Sequence, residues 1–440
     1  MKRSVADSGK EHAMKAGFGK ALVNPSLGMA MEGLGQQGGC RAIIDDLFVR
    51  ALYLVQDTHE CLIIGYDLLF FERAEIDRYK DALGRALELK PSQILLNTSH
   101  THAGPRLTHW AYSDGPDASY LDVIEAASLA AARSARAGAR GVTLYAGTAT
   151  TNMPVSRRKI LPDGTCQWAP FLKAPICDTV PFCLFKDSRG QVVSVLFAAS
   201  CHPSTYYELN ISADYPGAAM RKLNAHFKTD GALFLQGAGA DTKPRQIAVA
   251  EDHWKHGSIE DIEAAGAEVA DAVIAGARSV LGEVVPALRM HLQELAWPLQ
   301  PAPAREIFDA IQKNPEEREA RRKWAADMLA KQACGGLPTA VPVSLHAVQI
   351  GIGLSLLGVE GEVVGELGNL MLKEFEHGVT FVLGYTNGCQ IYLPVTPMLQ
   401  QGGYEVDSYW EYHFPSPLAP GGEQVLIDAI RELRRKHDLT

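Results

Sequence analysis

The 440-residue chain has no uninterrupted apolar run of the roughly 20 residues that a membrane-spanning helix requires. Its best approach to one, residues 341–357, is broken by Pro342, Ser344, His346, Gln349, Gly351 and Gly353. A basic surplus is also missing: 42 Lys and Arg stand against 51 Asp and Glu, a formal charge of -9, which argues against a surface that coats nucleic acid. The glycines of 231–239 complete neither a GxGxxG nor a GxxxxGK[ST] pattern, so they read as turn formers and not as a nucleotide-phosphate loop. The eight cysteines (40, 61, 166, 177, 183, 201, 334 and 389) contain no CxxC pair and no dense framework, which points to reduced thiols. Residues 1–10 are polar and lack the apolar core of a secretory signal, so the expectation is a flexible tail over residues 1–14 and a cytoplasmic protein.

What remains is a chain with 47% hydrophobic and 21% charged side chains, enough to bury a large core. Apolar patterning predicts strands over 52–55, 61–66 and 94–97 with a helix over 72–89 between the last two. An Ala-rich helix over 118–139 follows, then strands over 142–147, 191–200 and 231–236, a helix over 216–226 opened by Pro216, and another helix over 258–280. Strand patterns resume over 343–350, 358–364 and 379–383, and a terminal helix spans 423–436. The expected fold is α/β, a large mixed-sheet domain with flanking helices, occupying residues 15–440 as one catalytic domain. A helical insertion near 298–335, charged along 304–332, reads as a surface helix or lid, or else as a partner-binding element.

The densest chemistry lies in Ser99-His100-Thr101-His102-Ala103-Gly104-Pro105, directly after an apolar strand. On a strand, residues i and i+2 share a side, so His100 and His102 could face one cavity, at the carboxyl end where open α/β sheets place their sites. Ala199-Ser200-Cys201-His202-Pro203 repeats the pattern of a strand ending in histidine and a turn. A catalytic zinc takes three or more N, O or S ligands and keeps a place for water, so two histidines are incomplete. Cys201 is either a soft ligand or a small buried side chain. Glu366, between Gly365 and Gly368, is either an oxygen ligand or a turn residue, and Tyr392 is either an oxygen donor or a buried, hydrogen-bonded phenol. Asp214 suits a helix cap or a partner behind a ligand histidine, and Asp67 ends a strand that could face the same cleft.

Taken in order along the chain, the segments NTSHTHAGP, AASCHPS, ISADYPG, LQGAGAD, VVGELG, YTNGCQIYLP and GGYE resemble the catalytic domain of the neutral/alkaline non-lysosomal ceramidase family, over about residues 15–415. The resemblance implies a zinc site in which His100 and His202 supply nitrogen and Glu366 and Tyr392 supply oxygen. It places His102 beside the reaction centre, Tyr404 at the substrate carbonyl and Arg157 in the same cavity. The pattern breaks at Asp241-Thr242-Lys243-Pro244, where Lys243 stands at the position of a family serine. A long, normally cationic side chain cannot replace a neutral hydroxyl; it could instead pair with a substrate carboxylate or phosphate, or stand as a surface lysine if the loop is displaced. Asp241 would orient His102 or a loop backbone, or cap the turn before Pro244. On this resemblance, no counterpart of the family's β-rich C-terminal extension is expected.

These readings lead to a zinc-dependent hydrolase acting on an amide bond in a small soluble polar molecule, an anionic one if Lys243 reaches it, with water as nucleophile. Cleavage of an ester or a carbohydrate-derived bond, or of ceramide itself, is the alternative, and a nonenzymatic metal-binding protein is a further one. No nucleic acid and no membrane span are expected.

Overall fold

The computed structural model describes residues 14–33, 38–279 and 281–437. The tail expected over residues 1–14 lies outside the described residues except for Met14, which opens a strand. Apolar segments assemble into a nine-stranded mixed sheet. Side by side stand Ala232–Gln236, Val192–Ala199, Thr179–Asp187, Arg140–Thr150, Met14–Leu22, Phe48–Gln56, His59–Tyr66 and Ile94–Thr98, with Glu283–Val284 as an extra partner of Arg140–Thr150. The outermost pairs run parallel and those between them antiparallel.

The period of two along a strand explains why these segments read as nearly continuous apolar runs. Val49, Ala51, Tyr53, Leu62 and Ile64 face the helices Arg73–Leu87 and Ala118–Ala137, while Leu52, Leu54 and Ile63 pack against Val348, Ile350, Leu356 and Phe381 of a second sheet. Both faces are covered, so neither needs polar residues. The alanine-rich helix lies unusually close to the first strand: a Cβ on Gly17 would stand 2.0 Å from the Ala135 carbonyl oxygen. Small residues are therefore required on both sides of that contact. Helices Asp214–Phe227 and Ile259–Arg278 pack over the strands Val192–Ala199 and Ala232–Gln236.

The second sheet is ordered Pro286–Pro298, Ala340–Gly351, Leu354–Val359, Val379–Leu383. Its first two strands pair antiparallel, with Pro298 opposite Ala340, and the chain between them forms two helices, Arg305–Lys313 and Glu319–Cys334. These pack on each other through Phe308 and Trp324, and Trp324 Nε1 donates to the Phe414 carbonyl. Trp324, Ala325, Met328 and Leu329 form one buried stripe, so the charge density of this segment belongs to its outer faces.

One expected strand is two. Residues 358–364 do not continue in one sheet: Leu354–Val359 ends, Gly361 turns the chain by donating to the Val359 carbonyl, and Glu362–Val363 then pairs in parallel with Tyr392–Leu393. Several strands escaped the sequence reading altogether, among them Met14–Leu22, Pro154–Ile160, Thr179–Asp187 and Pro286–Pro298. The carboxyl ends of distant strands are tied by one side chain. Asn97 Oδ1 accepts from the Gln236 N–H at 2.8 Å and its Nδ2 donates to the Gly384 carbonyl at 2.8 Å. The loops that follow Thr98 and Ala199 are thereby brought to one place.

Candidate metal centre

The strand before His100 ends at Thr98, and His100 itself adopts φ +66°, a left-handed conformation that costs a β-carbon residue about 1 kcal/mol or more. The two histidines are therefore not neighbours on one strand face, as the spacing had suggested. Their rings meet because the backbone bends: the His100 N–H donates to the Leu68 carbonyl at 2.9 Å, and that of His102 to the Pro203 carbonyl at 3.0 Å. The His202 loop follows Val192–Ala199, near the opposite end of the strand order from Ile94–Thr98. Ring centroids are 4.7 Å apart for His100 and His102, 4.8 Å for His100 and His202, and 5.2 Å for His102 and His202. One ring nitrogen from each lies within 4.8 Å of the others, a cluster able to hold a metal ion.

The orientation of two of these rings is set from behind. His100 Nδ1 lies 3.1 Å from the Leu69 carbonyl oxygen and His202 Nδ1 2.8 Å from that of Gly239. A carbonyl only accepts, so each Nδ1 carries the proton and each Nε2 presents a lone pair to the cluster. His100 Nε2 is buried and has no hydrogen-bond partner among the described residues. Burial pushes the pKa of His100, His102 and His202 well below the usual imidazole range, which keeps the rings neutral as ligation requires.

The carboxylate that meets these lone pairs is Glu362. Its Oε2 lies 3.6 Å from His100 Nε2 and 3.4 Å from His202 Nε2. Two phenols donate to it, Tyr385 at 3.0 Å and Tyr412 at 2.5 Å. Glu366, the residue expected to supply this oxygen, is corrected: it sits half-buried in the first turn of the helix Gly365–Leu372, and the cavity beside the histidines is lined by Glu362 and not by Glu366. The physical reason is the short parallel pairing, whose register sets Glu362 directly beside Tyr392. In the sequence both glutamates follow a glycine, and nothing local separates them.

Tyr392 is buried and its hydroxyl accepts from Arg157 Nη2 at 3.0 Å. Burial raises the Tyr392 pKa while Arg157 pulls it down. Arg157 Nε donates to Glu405 Oε1 at 2.7 Å, Arg158 Nη1 donates to Glu405 Oε2 at 2.6 Å, and Arg157 Nη1 is 3.5 Å from His202 Nε2. The Arg157 guanidinium also lies 4.4 Å from the Trp168 ring centroid. Arg157 thus lines the same cavity as Tyr392. Tyr404 lines the same cavity, but its hydroxyl donates to Glu411 at 2.7 Å, so in this arrangement its proton is not aimed at a substrate. Asp241 is buried and absent from the lining: its Oδ1 accepts from the Gly365 N–H at 2.8 Å and its carbonyl from the Arg157 N–H at 2.8 Å. It secures loop backbone, and burial raises its pKa to about 6. Asp67 is engaged by Arg50.

His100, His102, Arg157, Lys243, Glu362, Tyr392 and Tyr404 line a cavity of about 180 Å³, below the usual size of a drug-sized ligand pocket. Glu362, Tyr385, Tyr412, Glu405 and Trp168 were not anticipated from the sequence. The only local hint for Glu362 was its glycine.

No protein-family model matches the chain, and no curated protein matches it. Among solved structures, the neutral ceramidase from Pseudomonas aeruginosa superposes with a TM-score of 0.75 at 16% identity, over 97% of this chain and 75% of that one. A ceramidase complexed with C2 gives a TM-score of 0.73 at 16% identity, over 98% and 76% respectively. The chain therefore has a ceramidase-like α/β fold. Within that fold it carries a histidine cluster able to hold a metal.

Proposed function

We propose that this protein is a zinc-dependent hydrolase that cleaves an amide bond in a small polar molecule, with the metal held by His100, His202, Glu362 and Tyr392. The observation that carries this reading is the pair of Nε2 lone pairs turned inward by carbonyl-bound Nδ1 groups, facing one doubly hydrogen-bonded carboxylate. Two neutral imidazoles, a carboxylate and a phenol form a donor set suited to zinc. A bound zinc supplies Lewis acidity, polarising a carbonyl and making hydroxide available near neutral pH.

The chain's own residues would do the rest. His102 lines the cavity beside the proposed ligands, where a ring nitrogen would pass a proton from the nucleophile to the leaving amine. Arg157 holds the Tyr392 hydroxyl and adds positive charge where an oxyanion develops. Tyr404 would contribute to the oxyanion only after its proton turns away from Glu411.

Cleavage of ceramide itself is the second reading, favoured by the fold likeness across nearly the whole chain. The restricted cavity and its lysine favour a polar substrate. Turnover across matched panels of short N-acyl amides, the corresponding esters, acetylated glycosides and ceramide, before and after metal chelation, tests the choice. Metal-dependent release of amine from the short amides is expected; turnover of ceramide alone, or of glycosides alone, overturns the polar-amide reading.

A further inference from the structure

Lys243 is a buried cation with no counter-ion among the described residues. It lies on the short strand Thr242–Pro244, paired to Pro154–Ile160 with Lys243 opposite Val155, and its residue exposure is 1%. Among the described residues no carboxylate stands within ion-pair distance of its Nζ. Nζ donates to the Tyr207 hydroxyl at 2.6 Å, and the ammonium also sits over the Tyr207 and Trp254 rings at 4.8 and 5.6 Å. Asp214, a buried carboxylate that acts on it only through the field, already accepts from Thr205 N, Thr205 Oγ1 and Tyr215 N.

Burial of a lysine in such surroundings costs free energy, and it pushes this ammonium's pKa down to about 7. Hydrocarbon would fill the same space without that cost. Two further polar groups converge on the same cavity. Tyr207 accepts from Lys243 and so keeps its own hydroxyl proton to donate, and Ser204 Oγ is buried with no hydrogen-bond partner among the described residues. A cation and two hydroxyl donors, all lining the cavity that holds the histidine cluster, match the needs of an oxyanion.

We propose that Lys243, Tyr207 and Ser204 form an anion subsite, and that the substrate is a small amide bearing a carboxylate or a phosphate away from the scissile bond. The proposal rests on the hydrolase reading only for the word amide; the anion subsite itself needs no metal. Bound charge would be neutralised by Lys243 while Tyr207 and Ser204 satisfy the remaining oxygen lone pairs. The same contacts would leave a neutral substrate facing an uncompensated ammonium, so discrimination by charge is built into the pocket.

Calorimetric titration of the full chain, as purified and after chelation, tests this with N-acetylglycine against N-acetylglycinamide, and with N-acetylethanolamine phosphate against N-acetylethanolamine. In chelated protein no turnover occurs and no carboxylate can bind a metal, so a failed hydrolase reading leaves this result untouched. The expected result is that the anion of at least one pair binds about tenfold or more tighter than its neutral counterpart. The pair with the larger ratio identifies carboxylate or phosphate as the recognised group. Lys243→Met should bring that ratio close to one, and Lys243→Arg should restore part of it. If Lys243→Met fails to fold, Tyr207→Phe and Ser204→Ala provide the same readout, each narrowing the ratio by about threefold. Ratios near one for both pairs in the wild-type protein, or a ratio unchanged by these substitutions, would overturn the subsite.

Discussion

Two groups of residues meet at one cavity, which all but the buried His202 line, and they are built on opposite plans. His100, His202, Glu362 and Tyr392 are each locked by a partner: carbonyls behind the imidazoles, two phenols on the carboxylate, a guanidinium on the phenol. Lys243 and Ser204 are left short of partners, the first without a carboxylate and the second without any hydrogen bond among the described residues. Locking suits groups that must hold one geometry through a reaction, because a ligand displaced by a fraction of an ångström no longer coordinates. Open valence suits groups whose partner arrives with the substrate. On the proposed reading, the difference divides the cavity into a part that would do chemistry and a part that would select what enters.

Substitution of a lone-pair donor should break the locked part most severely. His100→Ala and Glu362→Gln are each expected to lower zinc affinity by more than about 100-fold, beyond the usual effect of residues that only support a ligand. Elemental analysis and chelator competition measure this directly. Retention of one tight equivalent in both variants would show that these two residues do not hold the ion. The supports should matter less. Tyr412→Phe removes one of two donors to Glu362 while Tyr385 remains, so affinity should fall by about 10-fold to 100-fold with the fold intact by circular dichroism. A loss equal to that of Glu362→Gln would mean that Tyr412 is itself a ligand.

Periodicity made much of the fold legible. Continuous apolar runs marked Phe48–Gln56 and His59–Tyr66 in part, and alanine spacing marked the helix Ala118–Ala137. Strands such as Arg140–Thr150 and Pro286–Pro298 were clipped or missed because one face is half-exposed and mixed in character, so no clean alternation survives. At the candidate site, His100, His202 and Tyr392 could be singled out because each sits in a distinctive loop or strand-end segment, whereas Arg157, inside a strand that local patterning missed, came only with the family resemblance. Glu362 could not, since its place depends on a pairing with Tyr392 across 30 residues of chain, and register between remote short strands leaves no mark in local sequence. The left-handed turn at His100 was equally hidden, there being no glycine to announce it.

The smallest expected effect separates the two glutamates. Glu366 follows Gly365 much as Glu362 follows Gly361, yet it lies in the first turn of a helix, half-buried, outside the cavity lining. Its carboxylate complements the positive end of that helix, a contribution of about 0.3–1 kcal/mol, which Gln only partly retains. Glu366→Gln should therefore leave zinc content at wild-type level and turnover within about twofold, while thermal unfolding shifts down slightly. Loss of the metal in this variant, with Glu362→Gln keeping it, would return the oxygen ligand to the helix and refute the pairing of Glu362 with Tyr392 as the framework of the site.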